Sequence, residues 1–224
     1  MPQRVIVFDV NETLLDLGGL DEPFQEVFGD AQVKSQWFAS LLNLALTATI
    51  AEDYRDFTML ARAALELVAA RHRLSLTDDQ LTRILDRMRH LPAHADARPA
   101  LERLQAADFR LAALTNSAPT VAQEQLQNAG LAPFFEAILS VDEARRFKPA
   151  PAPYRMAARH LRVQTSDLRM VAVHDWDITG AMAAGCRGAF VARGGILFNP
   201  LAPRPDIAES TLEALADAIV RVDG

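Results

Sequence analysis

Four times along a chain of 224 residues, a short apolar run stops abruptly at polar residues or glycine. Residues 4–8 run into Asp9 and Asn11, and residues 109–114 into Thr115, Asn116 and Ser117. Residues 170–173 run into His174, Asp175, Trp176 and Asp177, and residues 188–192 into Arg193 and Gly194. Near-continuous apolar character over four to six residues is what a strand covered on both faces requires, because neither set of alternating side chains meets water. Between the runs lie helical patterns at 97–107, 120–129, 152–161 and 178–184, two of them closed by Gly130 and Gly185 in the usual stop position. Strand and helix in alternation define the α/β class, with a parallel, Rossmann-like sheet and helices on both faces. In such a sheet the polar residues after each strand gather at one edge, where ligands bind.

Residues 21–90 break the alternation. They carry no convincing strand and instead show helical patterns over 34–50, 53–71 and 77–90, the last opened by Thr77 as an N-cap with acids behind it. This predicts an all-helical cap over 19–91 inserted into an α/β core made of 1–18 and 92–224, covering the ligand edge and excluding water from it.

Composition narrows the classes of function. A net charge of -6 offers no concentrated basic surface for nucleic acid. Arg83, Arg87 and Arg89 stand among acids at helical spacing and read as a solvated face. The opening MPQRVIVFDV is too short and too acidic for a signal peptide or a spanning helix, so the expected location is the cytoplasm, with no membrane partner. Cys186 is the single cysteine; it cannot form an internal disulfide and reads as a small residue packed beside Gly185.

Asp9 is the residue that most needs a chemical explanation. A carboxylate directly behind apolar strand residues is costly to bury unless donors or a cation meet it. It could simply cap the following turn, as Lys148 could be a surface lysine opening a proline-rich turn and Thr115-Asn116 a strand-end cap. The topology nevertheless brings Asp9 and Thr13, Thr115 and Asn116, Lys148 followed by Pro149, and Asp177 to the same edge. In this order, D-x-x-x-T, T-N, K-P and a late Asp, the chain resembles the haloacid dehalogenase superfamily over nearly its whole length. A carboxylate attacks carbon or phosphorus only while ionised and partly desolvated, and an adjacent ammonium permits both.

Two features bear on which branch the chain is similar to. Phosphatases of the superfamily carry an acid two residues after the nucleophile, where this chain has Asn11, an amide that cannot relay a proton. Aligning Asp177 with the last acid of their magnesium motif puts Val173 at the first, although Asp175 could compensate. The chain looks instead like the (S)-2-haloacid dehalogenases, through Leu139-Ser140-Val141-Asp142, Phe147-Lys148-Pro149, Tyr154, and Trp176-Asp177 followed by Thr179-Gly180-Ala181, with Trp37 and Phe57 at the family's cap spacing.

That resemblance implies hydrolysis of a small-molecule 2-haloacid through an aspartyl ester on Asp9, no cofactor or metal, and a homodimer. Lys148 would hold Asp9; Thr13 would orient it; Tyr154 and Asp177 would order Lys148 or water. Thr115, Asn116 and the amides of Val10 and Asn11 would hold the substrate carboxylate. Phe38, Phe57 and Trp176 would border the substrate, although aromatic packing accounts equally for Trp176 and Tyr154. The family's cap arginine, which receives the departing halide, aligns with Phe38; Arg55 is a possible substitute. Where the family has serine and asparagine, this chain has Ala172 and His174, and His174 could act as general base or pack structurally. A phosphatase with an altered acid and metal site, or a catalytically silent member of the fold, are the alternatives.

Overall fold

The computed structural model describes residues 4–224. Six parallel strands, β1 (Val5–Phe8), β2 (Arg110–Thr115), β3 (Ala137–Ser140), β4 (Leu168–Ala172), β5 (Arg187–Val191) and β6 (Ile207–Glu209), form one sheet in the order β3-β2-β1-β4-β5-β6. The central strand β1 is buried along its whole length between β2 and β4, which is why its sequence is apolar without alternation. Two strands exceed the four expected. The β3 segment is only partly buried and ends in Ser140, and β6 is three residues long, so neither shows the dense apolar run of a central strand.

Right-handed crossovers distribute the helices. Helices α5 (Ala97–Gln105), α6 (Pro119–Asn128) and α9 (Leu212–Asp223) cover one face, with α5 packed on α9; α7 (Pro151–Leu161) and α8 (Asp175–Ala183) pack together on the other. The reversal of winding falls between β1 and β4, and Asp9 and Val173 follow those two strands. A buried Arg169 on β4 ties the far end together through Asp206, Asp223 and the Gly188 carbonyl.

Between β1 and α5 stand four further α-helices: α1 (Asp21–Phe28), α2 (Val33–Ile50), α3 (Phe57–Arg71) and α4 (Asp78–Arg87). Helix α1 was not resolved by the sequence pattern; it is eight residues long and has Pro23 in its first turn. Helix α3 starts at Phe57 and not at residue 53, because the Asp56 carboxylate accepts from the amides of Thr58 and Met59 and sets the cap there. Thr77 caps α4 as expected, in a capping box with Gln80. Helices α2 and α3 pack antiparallel neighbour on neighbour, with the Trp37 indole donating to the Ala61 carbonyl at 3.0 Å. The chain enters and leaves this insertion side by side: the Asp16 amide donates to Pro92 at 2.8 Å and the His94 amide to Leu14 at 2.9 Å. Arg83 pairs with Glu26, Arg89 with Glu124, and Arg87 donates to Gly19, the solvated face the sequence suggests. Among the described residues no helix is long and apolar enough to cross a membrane.

Candidate active site

The turn after β1 doubles back on itself. The Val10 carbonyl accepts from the amides of Leu14 and Leu15, and Glu12 takes a left-handed φ of 63° to allow it. This places the Thr13 hydroxyl against the residue four positions before it, where it donates to Asp9 Oδ2 at 2.8 Å and accepts from the Val173 amide at 3.1 Å. The nucleophile turn is thereby fastened to the end of β4.

Lys148 reaches the same carboxylate from the loop after β3. Its Nζ donates to Asp9 Oδ1 at 2.8 Å, to Asp177 Oδ2 at 2.7 Å and to the Leu114 carbonyl at 2.8 Å. An ammonium has three protons, and all three are engaged. The Lys148 amide donates to Asn116 Oδ1 at 3.0 Å, which fixes the base of the side chain to the end of β2. Tyr154 on α7 donates to Asp177 Oδ1 at 2.6 Å. Asp9, Thr13, Lys148, Tyr154 and Asp177 are all buried, and the sequence-predicted set converges as a single hydrogen-bonded cluster.

The charges in this cluster are unequal partners. Burial raises the pKa of both carboxyls and lowers that of the ammonium. At Asp9 the attraction of Lys148, then of His174, outweighs burial and holds the carboxyl below its ordinary range. At Asp177 burial prevails over Lys148, with the charge of Asp9 adding to it, and the carboxyl titrates above its ordinary range. Lys148 is desolvated, yet the two carboxylates raise it above the usual lysine value. Tyr154, buried beside Asp177, stays protonated and therefore a donor. The arrangement keeps Asp9 ionised inside a buried site.

Thr115 and Asn116 are buried beside this cluster, and Thr115 Oγ1 accepts from the Ser117 amide at 3.1 Å. Asn11 turns its side chain to Ser117 at 3.3 Å and receives Gln125 at 3.0 Å. Gln125 and Ser117 were not anticipated; a buried glutamine in an otherwise ordinary amphipathic helix leaves only its position on the apolar face as a signal. Phe57 packs on Phe147, next to Lys148, and with Leu41, Met88, Ser117 and Val121 lines an apolar cavity of about 160 Å³. Phe38 and Trp176 both stack on His174, with ring centroids 5.9 and 4.9 Å from it. Arg55 is not at the site: it is exposed on the surface and pairs with Asp53 at 3.1 Å. Its place at the loop before α3 turns it to solvent. The buried Cys186 thiol is pushed up to about 12 by burial and by the charge of Asp177, which leaves it inert as expected.

A buried aspartate at the winding reversal of a parallel α/β sheet, neutralised by lysine and beneath a helical insertion, defines a hydrolase built for covalent catalysis by carboxylate. The chain belongs to the haloacid dehalogenase-like hydrolases, whose family model matches residues 3–185. It is 33% identical over 186 residues, 82% of each chain, to (S)-2-haloacid dehalogenase 1 of Pseudomonas sp. (strain CBS-3). It is also 28% identical over 218 residues to (S)-2-haloacid dehalogenase 2 of the same strain, covering 96% of this chain and 95% of that one. The fold superposes on L-2-haloacid dehalogenase from Xanthobacter autotrophicus with chloropropionic acid covalently bound, with a TM-score of 0.91, 25% identity, and coverage of 99% and 100% of the two chains.

The magnesium used by phosphatases of the superfamily does not fit these donors. Both oxygens of Asp9 and both of Asp177 already receive Lys148, Thr13 or Tyr154, and position 173 is a valine. Asp175 does not complete a set: among the described residues no group of three or more His, Cys, Asp or Glu side chains could hold a metal ion.

Proposed function

We propose that this chain hydrolyses small 2-haloalkanoic acids to 2-hydroxy acids through an ester on Asp9. The observation that carries the reading is the Lys148 ammonium between Asp9 and Asp177 with every proton engaged, which keeps the nucleophile anionic without a metal. An Asp9 oxygen bonds to the α-carbon as halide leaves with the carbon–halogen electron pair, giving inversion. Water then attacks Asp9 Cγ, the 2-hydroxy acid departs with the former Asp9 oxygen, and one proton is released overall. Halide leaves unprotonated, so the absence of an acid at Asn11 costs nothing, whereas an alkoxide leaving from phosphate would need one. Asn116, Thr115 and the amides of Val10 and Asn11 hold the substrate carboxylate, and Asp177 with Tyr154 orders Lys148 and the attacking water. The apolar cavity beside Phe57 suits a short acyl chain.

The same reading treats 19–91 as a cap on a core of 1–18 and 92–224, acting as a cytoplasmic homodimer. The paired backbone hydrogen bonds where the chain enters and leaves the insertion support the division. The test is halide release from 2-chloropropionate with and without EDTA, beside a panel of phosphate esters. Release insensitive to EDTA and abolished in Asp9→Asn is expected; magnesium-dependent phosphate release without halide release would replace this reading with that of a phosphatase.

A further inference from the structure

Halide that leaves carbon in this site becomes an anion among carboxylates. Asp9 and Glu12 both face this side of the centre, and the substrate brings its own carboxylate. Lys148, the only ammonium at the centre among the described residues, has no free proton to offer. The other nitrogen-bearing side chain close to the Asp9 carboxylate among the described residues is His174, whose Nε2 lies 3.8 Å from Asp9 Oδ2 and 3.5 Å from Glu12 Oε2. Both separations are too long for a hydrogen bond, so this nitrogen is aimed between two carboxylates without closing on either.

That placement fixes what the nitrogen can do. A lone pair on Nε2 would face two carboxylates, so the ring carries its proton there and presents a donor. Phe38 and Trp176 hold the ring between them, with interplanar angles of 29° and 19°, so that only its edge meets the site. The same ring borders a cleft of about 260 Å³ lined by Glu12, Lys34, Phe38 and Leu42, through which a small anion can leave.

Resting on the dehalogenase reading above, we infer that His174 is the leaving-group donor: its Nε2–H hydrogen-bonds to the halogen as the carbon–halogen bond breaks. The bond pair goes to the halide, the new bond runs from Asp9 to the α-carbon, and no proton is transferred. Phe38 acts through His174 as a positioning residue. The donor thus comes from the end of β4, not from the helical insertion.

A donor to the departing group matters most where that group leaves poorly. The test is kcat/KM, which reports the steps through halide departure, measured on 2-chloro-, 2-bromo- and 2-iodopropionate. His174→Phe keeps the aromatic stack and removes the donor; it is expected to lose about 10- to 100-fold on 2-chloropropionate, the worth of a hydrogen bond to a charged group, and clearly less on 2-iodopropionate. His174→Gln, which keeps an amide donor, is expected to retain the wild-type ratio between the two halides, and adding Phe38→Arg to His174→Phe to restore it in part. An unchanged kcat/KM on all three substrates, with an equal fall in kcat and accumulation of the aspartyl ester, would make His174 a base for water and overturn the inference. An unchanged chloride-to-iodide ratio in both His174→Phe and His174→Gln would also overturn it while leaving the dehalogenase reading intact. A wild-type protein that releases no halide from any of them overturns both.

Discussion

Gly180 and Pro149 are in backbone contact: a Cβ added to Gly180 would lie 2.4 Å from both the Pro149 carbonyl oxygen and its Cβ. Helix α8, which carries Asp177, is thereby pressed onto the turn that carries Lys148, and the 2.7 Å contact between their side chains depends on that approach. Gly180→Ala is expected to push the turn away. It should lower kcat by about 100-fold, as ångström-scale misplacement of a reacting group does, at a stability cost of about 1–3 kcal/mol. Steady-state kinetics beside thermal unfolding checks both.

Thr13 serves two neighbours through one hydroxyl. In Thr13→Val the Val173 amide loses its acceptor in a buried place, at about 1–3 kcal/mol, and Asp9 loses a donor that favours its charge. Thr13→Ser should recover most of both losses. Denaturant unfolding and halide-release rates of the pair of variants separate the effect of the hydroxyl from that of the methyl.

The acid limb of activity should belong to Asp177 and not to the nucleophile. Asp177 titrates above the ordinary carboxylate range and Asp9 below it, so on acidification the first proton goes to Asp177 and frees Lys148 from one side. The expected profile of kcat/KM falls at a pH above that of an ordinary aspartate, and Asp177→Asn removes this limb along with most of the activity. A limb that persists unchanged in the variant's residual activity would contradict the assignment.

The turn that joins Asp9, Thr13 and Val173 lies where the sequence is most legible. The central strand β1 is apolar throughout and β4 is apolar from Met170 onward, after the buried Arg169, so the ends of both strands are legible in the sequence. The short edge segments β3 and β6 bury too little to leave that mark. Within the cluster, Asp9, Thr13, Lys148 and Asp177 stand out in the sequence only as an ordered set, the order in which the chain resembles the superfamily. Ser117 and Gln125 were not, since an ordinary serine and glutamine acquire meaning only from the partner they meet across the fold. Arg55 faces solvent because charge alone does not decide which side of a loop a residue takes, and Glu12 gains its meaning only from His174 beside it.

Arg169 offers a test far from the chemistry. Its side chain is wholly buried, and Arg169→Leu would leave Asp206 without its cation and Asp223 with Arg4 alone; removal of one side of a buried ion pair costs about 3–5 kcal/mol. At Asp206 burial works against the charge, but the hydrogen bonds from Arg169 hold the carboxyl below its ordinary value. A depressed carboxyl adds stability above its unfolded pKa and loses it as pH falls through the folded one. Wild-type stability should therefore decline on the acid side, and in Arg169→Leu the share of that decline due to Asp206 should vanish together with the stability it provided. Denaturant midpoints from pH 7 down to pH 3 would show it.

Because each proton of the Lys148 ammonium is already committed, that residue acts as a brace and has no adjustable part. Arginine would bring the same charge but a flat fork, which cannot meet three acceptors set around a tetrahedral nitrogen. One flank of the site is consequently frozen by its own hydrogen bonding. Any drift toward new leaving groups or bulkier acids in descendants of this chain has to be written at positions 38, 57, 174 and 176, where side chains stack without being tied.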